Sequence, residues 1–156
     1  MFRSLNDSLI IILNIKEKSI VILGSTGSVG TQTAEVADHF GVRVKALAAF
    51  GNVKLLEKQI RKFSPSVCAV VNEDAAKSLR ASVADTNCKI VSGYESVCNI
   101  AADTSCDIVF NSISGKNGLL PTLYTLRAGK TLALANKESM VCAGDVVNET
   151  AKKYGG

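Results

Sequence analysis

From Ser19 onward, short apolar runs alternate with longer segments whose apolar residues recur at helical spacing. The first run, SIVIL, is continuously apolar, which is typical of a strand covered on both faces of a parallel sheet. Parallel strands joined by helices require right-handed crossovers. The alternation therefore predicts an α/β fold with a doubly wound, mostly parallel, Rossmann-like sheet.

The boundaries of the predicted elements follow from turn residues and helix caps. The predicted strands cover 19–23, 42–48, 67–71, 89–92, 107–110 and 131–134. The predicted helices cover 28–40, 53–63, 94–102, 121–128 and 141–154, with a further helix after Asn72. Asn52 and Asn72 are predicted to cap the helices that follow them. Because such sheets bind ligands beyond the carboxyl ends of their strands, the residues after each strand are the candidates for function.

Residues 1–18 are predicted to be an amino-terminal extension of a single domain that spans 19–156. The run from Leu9 to Leu13 is apolar but much too short to cross a bilayer. No cleavage site of small residues follows it. We expect an additional strand or a packed arm there, with a degenerate targeting peptide as the alternative, and no membrane partner.

Charge and cysteine content argue against several classes of function. The net charge is only +4, and no basic tract is interleaved with aromatic residues, so a nucleic-acid partner is not expected. The five cysteines include no C-x-x-C pair, and His39 is the single histidine. This pattern predicts reduced thiols, several of them buried, and argues against a zinc site. His39 is predicted to be a surface residue near a helix end.

A glycine-rich turn follows the first strand. The sequence GSTGSVG from Gly24 to Gly30 spaces its glycines as G-x-x-G-x-x-G. A dinucleotide needs a tight turn there, a close backbone approach to its pyrophosphate and a helix start with free N–H groups. Glycine triplets also serve packing alone, but this one lies between a strand and a helix near the start of the domain. A P-loop is disfavoured because no G-K-[ST] follows.

The end of the second strand bears on the choice between NAD and NADP. An acidic residue at this point usually holds the ribose hydroxyl group of NAD. The segment Ala48–Asn52 contains no acidic residue, and Lys54 lies nearby. A carboxylate about 4 Å from a 2′-phosphate would cost on the order of 4 kcal/mol at an effective dielectric constant of 20. The segment therefore favours NADP.

Two further strand ends carry polar residues. Small polar residues and glycines from Asn111 to Gly118 suit contact with the nicotinamide half of a cofactor, although an ordinary glycine-rich loop has the same composition. Asn136, Lys137 and Glu138 offer an amide, a cation and an anion to one pocket after the sixth strand. A solvated turn with a surface ion pair is the alternative.

These same segments resemble the 1-deoxy-D-xylulose 5-phosphate reductoisomerase family. The resemblance runs from about Ile20 to Val147 and rests on the strings ILGSTGSVG, FGNV, SGKNGLLPTL and RAGKTLALANKES. The family rearranges 1-deoxy-D-xylulose 5-phosphate on a divalent metal (Mg, Mn or Co) and reduces the resulting aldehyde with NADPH. The product is 2-C-methyl-D-erythritol 4-phosphate, an intermediate of non-mevalonate isoprenoid biosynthesis.

The resemblance, together with the glycine turn, implies a set of cofactor contacts. The residues assigned to NADPH are Gly24, Ser25, Thr26, Gly27, Ser28, Val29, Phe50, Gly51, Asn52, Asn136 and Glu138. Lys137 matches a lysine that contacts the sugar-phosphate substrate. Many relatives carry a basic residue in the loop occupied here by Phe50, Gly51 and Asn52, where it can clamp the 2′-phosphate. This sequence lacks it.

The resemblance also implies that these residues are one domain of a larger enzyme. The metal ligands of the family lie in a D-S-E motif on the strand after the last predicted helix, whereas the sequence ends at Gly155-Gly156. We therefore expect a fragment without the catalytic and carboxyl-terminal domains, with no catalytic or metal-binding residue of its own. It is expected to bind NADPH without turnover. The full-length enzyme is expected to be a homodimer in the bacterial cytoplasm.

Two other functions remain open from the residues alone. One is a domain of another two-domain NAD(P) dehydrogenase, in which Cys106 or Cys142 acts as a nucleophile, although no partner histidine is evident. The other is a non-catalytic NAD(P)-binding module that senses redox state or mediates assembly.

Overall fold

The structure, a computed structural model, describes residues 17–102, 106–135 and 137–155. The extension predicted at residues 1–18, as a strand or a packed arm, lies outside the described residues except for its last two. Six strands form one sheet in which every neighbouring pair is parallel. The strands are β1 (Ser19–Leu23), β2 (Arg43–Ala49), β3 (Val67–Val70), β4 (Lys89–Ser92), β5 (Ile108–Asn111) and β6 (Thr131–Leu134).

Helices connect the consecutive strands, and a further helix follows the last strand. They are α1 (Ser28–Phe40), α2 (Val53–Phe63), α3 (Glu73–Ser82), α4 (Tyr94–Ala101), α5 (Leu119–Arg127) and α6 (Lys137–Tyr154). A short 3-10 helix (Gly115–Gly118) precedes α5. The two predicted caps are confirmed, because the side chain of Asn52 accepts a hydrogen bond from the Leu55 N–H and that of Asn72 from the Ala75 N–H.

The strand order across the sheet is β4-β3-β2-β1-β5-β6. From β1 the chain moves outward through β2 and β3 to β4, and α4 then carries it back across the sheet to β5. The direction of winding therefore reverses between β1 and β5, where a doubly wound sheet leaves a crevice at its carboxyl edge. The predicted doubly wound, Rossmann-like α/β fold is confirmed.

Each face of the sheet is covered by its own hydrophobic cluster. Ile20 and Ile22 of β1 point to the face covered by α1, α2 and α3, where Leu56, Ile60 and Leu79 are fully or almost fully buried. The alternate β1 residues point to the opposite face and pack with α4 in a second cluster. Burial on both faces explains why the strand sequences are continuously apolar.

The start of β1 is tied to the start of β5 at the amino edge of the sheet. The carboxylate of Asp107 accepts hydrogen bonds from the N–H of Ser19 at 2.7 Å and from its hydroxyl group at 2.8 Å. The Nζ atom of Lys18 lies 3.4 Å from the same carboxylate. These contacts lower the pKa of Asp107, with the Ser19 backbone N–H as the largest cause.

Some element boundaries differ from those predicted. β2 and β5 each begin and end one residue later than expected. The last helix begins at Lys137 rather than at Val141, and it contains one residue with non-helical torsion angles, Ala143 (φ −149°, ψ 31°). Two helical pieces therefore meet at Ala143, and apolar periodicity detected only the second.

The predictions about thiols and the histidine are confirmed. All five cysteines carry free thiols, and Cys68, Cys98 and Cys106 are buried. Burial raises the pKa of the Cys88 thiol to about 11. His39 is exposed in the last turn of α1, where its ring packs edge-on against Phe40. Among the helices that the structure describes, none has the length and apolar content needed to cross a membrane.

Candidate cofactor site

Two glycines of the turn after β1 are required by close contacts. Gly24 has a positive φ of 79°, and a Cβ atom there would lie 2.9 Å from the Oγ atom of Ser112. A Cβ atom on Gly30 would lie 2.1 Å from the carbonyl oxygen of Gly24, which is far inside van der Waals contact. The first turn of α1 therefore packs directly onto the glycine turn, and the loop after β5 packs against its other side.

Gly27 differs from the other two because it is exposed and caps α1 without a side chain. Its carbonyl oxygen accepts hydrogen bonds from the N–H and hydroxyl groups of Thr31 at 2.9 and 2.8 Å. The N–H groups of the first helical turn have no partner within a helix. Ser28 and Val29, which carry two of these groups, are exposed. This end of α1 is therefore open to an anion.

Ser25 is fully buried beneath the turn, whereas Gly24 and Thr26 on either side of it are partly exposed. Its carbonyl oxygen accepts a hydrogen bond of 2.8 Å from the side-chain amide of Gln59, which reaches it from α2. Gln59 is itself 5% exposed. The side chain of Ser25 thus faces the interior, and Gln59 links the glycine turn to the helix that starts after β2.

The segment after β2 presents an aromatic side chain and an amide to solvent. Phe50 is 72% exposed. Its carbonyl oxygen accepts a 2.8 Å hydrogen bond from the N–H of Asn72, which fixes the backbone at this point. A Cβ atom on Gly51 would lie 3.3 Å from that of Ala75, so the turn fits closely against α3. Asn52 is exposed at the start of α2.

The segment after β5 is held in place by a buried asparagine. Asn111 donates hydrogen bonds to the carbonyl oxygen of Gly118 at 2.8 Å and to the hydroxyl group of Thr122 at 3.0 Å. Its side-chain oxygen accepts a bond from the Ile113 N–H at 3.1 Å. The Ser112 hydroxyl group donates to the carbonyl oxygen of Leu23 at 2.8 Å, which joins this segment to the end of β1.

These segments surround a cleft of about 280 Å³ at the carboxyl edge, where the direction of winding reverses. Its walls come from four of the strand ends and from the first two turns of α4. The lining residues are Gly24, Thr26, Gly27, Ala48, Ala49, Phe50, Val71, Tyr94, Val97, Ser112, Ile113, Ser114 and Asn117. The volume is slightly below the roughly 300–1,000 Å³ of typical ligand pockets, so it suits part of a dinucleotide.

The cleft includes some of the predicted site residues and leaves others beside it. Gly24, Thr26, Gly27 and Phe50 line it, whereas Ser25, Ser28, Val29, Gly51 and Asn52 belong to the same turns without lining it. Lys137 and Glu138 are exposed at the start of α6, beyond the carboxyl end of the edge strand β6. Asn136 lies outside the described residues. Gly27, Asn52 and Lys137 thus all follow parallel strands at one edge of the sheet.

Tyr94 is the cleft residue of most chemical interest that sequence reasoning missed. Its hydroxyl group donates a hydrogen bond to the carbonyl oxygen of Asn117. Burial is the main cause that raises the pKa of Tyr94, so its hydroxyl group keeps its proton at neutral pH. The available signal was its position just after β4, but β4 is an edge strand far from the glycine turn. Only the path of α4 brings Tyr94 to the cleft.

A second, larger cavity lies at the opposite edge of the sheet. It has a volume of about 410 Å³ and is lined by residues that include Arg61, Ser64, Asp85 and Cys88. The guanidinium group of Arg61 is already bonded to both oxygens of the Asp85 carboxylate, to Glu57 and to the Ser82 carbonyl oxygen. This cavity therefore offers no free cation to a phosphate. In the part of the chain that the structure describes, no three or more His, Cys, Asp or Glu residues form a cluster able to hold a metal ion.

Comparison with protein families gives one match over most of the chain. The family model described as 1-deoxy-D-xylulose 5-phosphate reductoisomerase matches residues 20–144. The 1-deoxy-D-xylulose 5-phosphate reductoisomerases of Agathobacter rectalis and Desulfitobacterium hafniense are 45% and 44% identical to this chain over 139 and 140 residues. Each match covers 88% of this chain and 37% of the relative's length.

Solved structures agree with this match. The 1-deoxy-D-xylulose 5-phosphate reductoisomerase of Zymomonas mobilis in complex with NADPH superposes with a TM-score of 0.84 at 29% identity, covering 88% of this chain and 37% of that one. A DOX-P reductoisomerase in complex with NADPH, fosmidomycin and magnesium superposes with a TM-score of 0.82 at 38% identity, covering 88% and 35%. The chain thus spans little more than a third of the length of these relatives.

Proposed function

Because the chain belongs to the 1-deoxy-D-xylulose 5-phosphate reductoisomerase family, we propose that it forms the NADPH-binding part of such an enzyme. The observation that carries the proposal is the cleft between β1 and β5, with the open start of α1 beside it. A helix start without a side-chain cap offers N–H groups and a partial positive charge to a phosphate. The NADPH complex of the Zymomonas mobilis relative, which superposes over most of this chain, supports the same cofactor.

The proposed contacts divide by their position on the glycine turn. Thr26, Ser28 and Val29 hold the pyrophosphate through backbone N–H groups, since these residues are at least partly accessible. The N–H of Gly27 already donates to the Gly24 carbonyl oxygen at 2.9 Å, so Gly27 contributes by letting the phosphate approach a backbone without a side chain. Gly24 and the buried Ser25 support the turn from below. The N–H of Ser25 is bonded to the Ala48 carbonyl oxygen and its carbonyl oxygen to the Gln59 amide, and the residue is fully buried. The contribution of Ser25 to cofactor binding is therefore through the shape of the turn.

The segment after β2 holds the adenosine half in this proposal. Phe50 offers an apolar surface to the adenine ring, and Gly51 and Asn52 lie beside the ribose. Because no carboxylate lies at this turn, a 2′-phosphate meets no repulsion there, and the exposed Lys54 in the first turn of α2 adds a nearby cation. These features favour NADPH over NADH.

The start of α6 serves the reacting end of the cofactor and the substrate. Asn136 and Glu138 are proposed to contact NADPH, and Lys137 the phosphate of the sugar substrate. Lys137 is exposed at the same edge of the sheet as the cleft, so its ammonium group is free to meet an anion from solution. Lys137→Ala should weaken substrate binding in a full-length enzyme without changing NADPH affinity.

The activity of the whole protein is part of the same proposal. It isomerises 1-deoxy-D-xylulose 5-phosphate and reduces the product to 2-C-methyl-D-erythritol 4-phosphate, with hydride supplied by NADPH. The divalent metal is bound by residues of the full-length enzyme outside these 156. A homodimer in the bacterial cytoplasm stays a prediction, which sedimentation and cell fractionation of the full-length protein would test.

The two other functions considered from the sequence receive less support. His39 lies at the end of α1, hence at the amino edge of the sheet and away from the cleft. It is therefore not placed to activate a cysteine there, and Cys106 is buried at the start of β5. A non-catalytic module would bind the same cofactor, so it differs from our proposal only in the reaction of the complete protein.

Calorimetric titration of the 156-residue chain with NADPH and NADH tests the cofactor assignment. We expect NADPH to bind at least tenfold more tightly than NADH. NADH has no 2′-phosphate, whereas that of NADPH meets no carboxylate at this turn and lies near Lys54. A control variant, Gly51→Asp, places a carboxylate at this turn and should remove most of the difference. Equal or tighter binding of NADH by the unaltered chain would overturn the assignment.

The same sample tests catalysis. With 1-deoxy-D-xylulose 5-phosphate and magnesium or manganese added, we expect no consumption of NADPH, while a full-length family member consumes it under the same conditions. Metal-dependent oxidation of NADPH by the 156 residues alone would contradict the proposal that they hold no catalytic metal.

A further inference from the structure

Tyr94 occupies a position from which one side chain can connect two walls of the cleft. Gly93, with a φ of 89°, turns the chain into α4 and donates a hydrogen bond to the Val70 carbonyl oxygen at 3.0 Å. Tyr94 is then the first residue of α4 and lines the cleft together with Val97. Because α4 packs on the face of the sheet that carries the β1 and β3 cluster, its start cannot shift without disturbing the core.

The partner of Tyr94 lies on the segment between β5 and α5. The hydroxyl group of Tyr94 donates to the carbonyl oxygen of Asn117, a residue of the 3-10 helix, across 23 positions in the sequence. At its base this segment is held by the buried Asn111, which bonds the Gly118 carbonyl oxygen and the Ile113 N–H. Asn117 itself is exposed. Asn111 therefore holds the buried part of this segment, and the bond from Tyr94 holds its exposed part at Asn117.

The fold determines which half of the dinucleotide this segment faces. The pyrophosphate meets the start of α1, and the adenosine ribose lies at the end of β2. The nicotinamide half must then extend toward β5, on the other side of β1. Ser112, Ile113 and Ser114 line the cleft on that side, in the segment that Tyr94 holds.

We infer that Tyr94 is a positioning residue for the nicotinamide half of NADPH, because its hydroxyl group holds the Asn117 carbonyl and so keeps the 112–118 segment against the cleft. This inference rests on the proposed function and adds to it a residue that neither the glycine turn nor the β2 segment contains. Tyr94 does not need to touch a reacting atom in this role. Its effect reaches the cofactor through the backbone of the segment.

The test compares two ligands in the 156-residue chain and in Tyr94→Phe. Calorimetric titration uses NADPH and 2′,5′-ADP, which carries only the adenosine half with its phosphates. We expect Tyr94→Phe to weaken NADPH binding about three- to tenfold, as for loss of one neutral hydrogen bond. The affinity for 2′,5′-ADP should change by less than about twofold, because that ligand does not reach the segment after β5.

A matched control is Tyr124→Phe, which removes the same hydroxyl group from a partly exposed residue of α5 that does not line the cleft. It should leave both affinities unchanged. Equal weakening of both ligands by Tyr94→Phe, or no weakening of either, would overturn the inference. Failure of the unaltered chain to bind NADPH would instead overturn the proposed function.

Hydrogen exchange provides a second measurement on the unaltered chain. NADPH should protect the backbone amides of residues 115–118 from exchange, and 2′,5′-ADP at saturation should not. Equal protection by the two ligands would also overturn the inference, whatever the effect of Tyr94→Phe on folding.

Discussion

Gly30 has no room for a side chain, whereas Gly27 has room but lies at the point where an anion would approach. The Cβ atom of an alanine would lie 2.1 Å from the Gly24 carbonyl oxygen at position 30 and 3.3 Å from the same atom at position 27. The first contact forces backbone atoms apart, and the second needs a shift of only a few tenths of an ångström. Glycine is therefore required by packing at position 30, whereas at position 27 it leaves the surface of the turn open.

We predict opposite phenotypes for alanine at these two positions. Gly30→Ala should lower the free energy of unfolding by about 1–3 kcal/mol, as overpacking does. Gly27→Ala should cost only about 1 kcal/mol through the poorer helix cap. It should nevertheless weaken NADPH binding at least tenfold, because it adds a methyl group to the exposed turn where we propose that the pyrophosphate binds. Denaturant unfolding and calorimetric titration measure the two effects.

Gly144→Ala is the control for these variants. It lies in α6, where a Cβ atom would meet only the end of the Met140 side chain at 3.9 Å. Neither stability nor NADPH affinity should fall. A Gly30→Ala variant as stable as this control would show that the turn is less tightly packed than its geometry indicates.

The helices α2 and α3 begin in the same way but follow different strands. Asn52 caps α2 through the Leu55 N–H at 3.2 Å, and Asn72 caps α3 through the Ala75 N–H at 2.8 Å. Both side chains are exposed. Only Asn52 belongs to the turn after β2, where we propose that the adenosine ribose binds. Asn72 therefore serves only as a helix cap, whereas Asn52 caps a helix and is also proposed to contact the ligand.

Asn52→Ala and Asn72→Ala should each lower the free energy of unfolding by about 0.5–2 kcal/mol, the usual loss on removing a helix cap. NADPH affinity should fall in Asn52→Ala and remain within about twofold in Asn72→Ala. Thermal unfolding and NADPH titration of the two variants check this. A fall in affinity for both would mean that helix capping alone, rather than contact with the ribose, explains the effect at Asn52.

The elements that were predictable from the sequence have local signals, and the missed features depend on distant parts of the chain. The start of α1 and the caps at Asn52 and Asn72 follow from residues within a few positions. The first piece of α6, from Lys137, was missed because apolar periodicity begins only after it, and Ala143 interrupts the helix between the two pieces. Composition alone did not decide whether the segment after Asn111 contacts the nicotinamide half of a cofactor or is an ordinary glycine-rich loop.

In the candidate site, too, residues with a local sequence signal were predicted and those that depend on distant contacts were not. Gly24, Thr26, Gly27 and Phe50 were predicted and line the cleft, because a parallel sheet gathers the turns after its strands at one edge. Tyr94 was not predicted, since it follows an edge strand and reaches the cleft only through the course of α4. The side-chain support from Gln59 to the Ser25 carbonyl crosses 34 positions and had no sequence signal.

The contact between Asp107 and Ser19 links the stability of the whole protein to pH. The pKa of the Asp107 carboxyl group is lowered in the folded protein, first by the Ser19 backbone N–H and then by its hydroxyl group. A carboxyl group of this kind stabilises the fold above its unfolded pKa of about 3.9. The contribution is lost as the pH falls through the lower folded value.

Asp107→Asn should therefore be less stable than the unaltered chain at pH 7, and the difference should shrink as the pH falls below about 4, where the carboxyl group becomes protonated. Urea unfolding at a series of pH values measures this. Asp145→Asn, at an exposed position of α6, is the control and should give a small difference at every pH. A stability gap for Asp107→Asn that stays constant down to the lowest pH would contradict the linkage.

The central place of β1 in the sheet has a consequence for the time at which the cofactor can first bind. β1 pairs with β2 on one side and with β5 on the other, and Ser112 bonds Leu23 across 89 positions of the sequence. At about 5–20 residues per second, translation of that interval takes roughly 4–18 seconds. During this time the cleft beside the glycine turn lacks the wall formed by the segment after β5, and one edge of β1 is unpaired. The wall proposed to face the nicotinamide half of NADPH is therefore completed only after β5 has paired with β1.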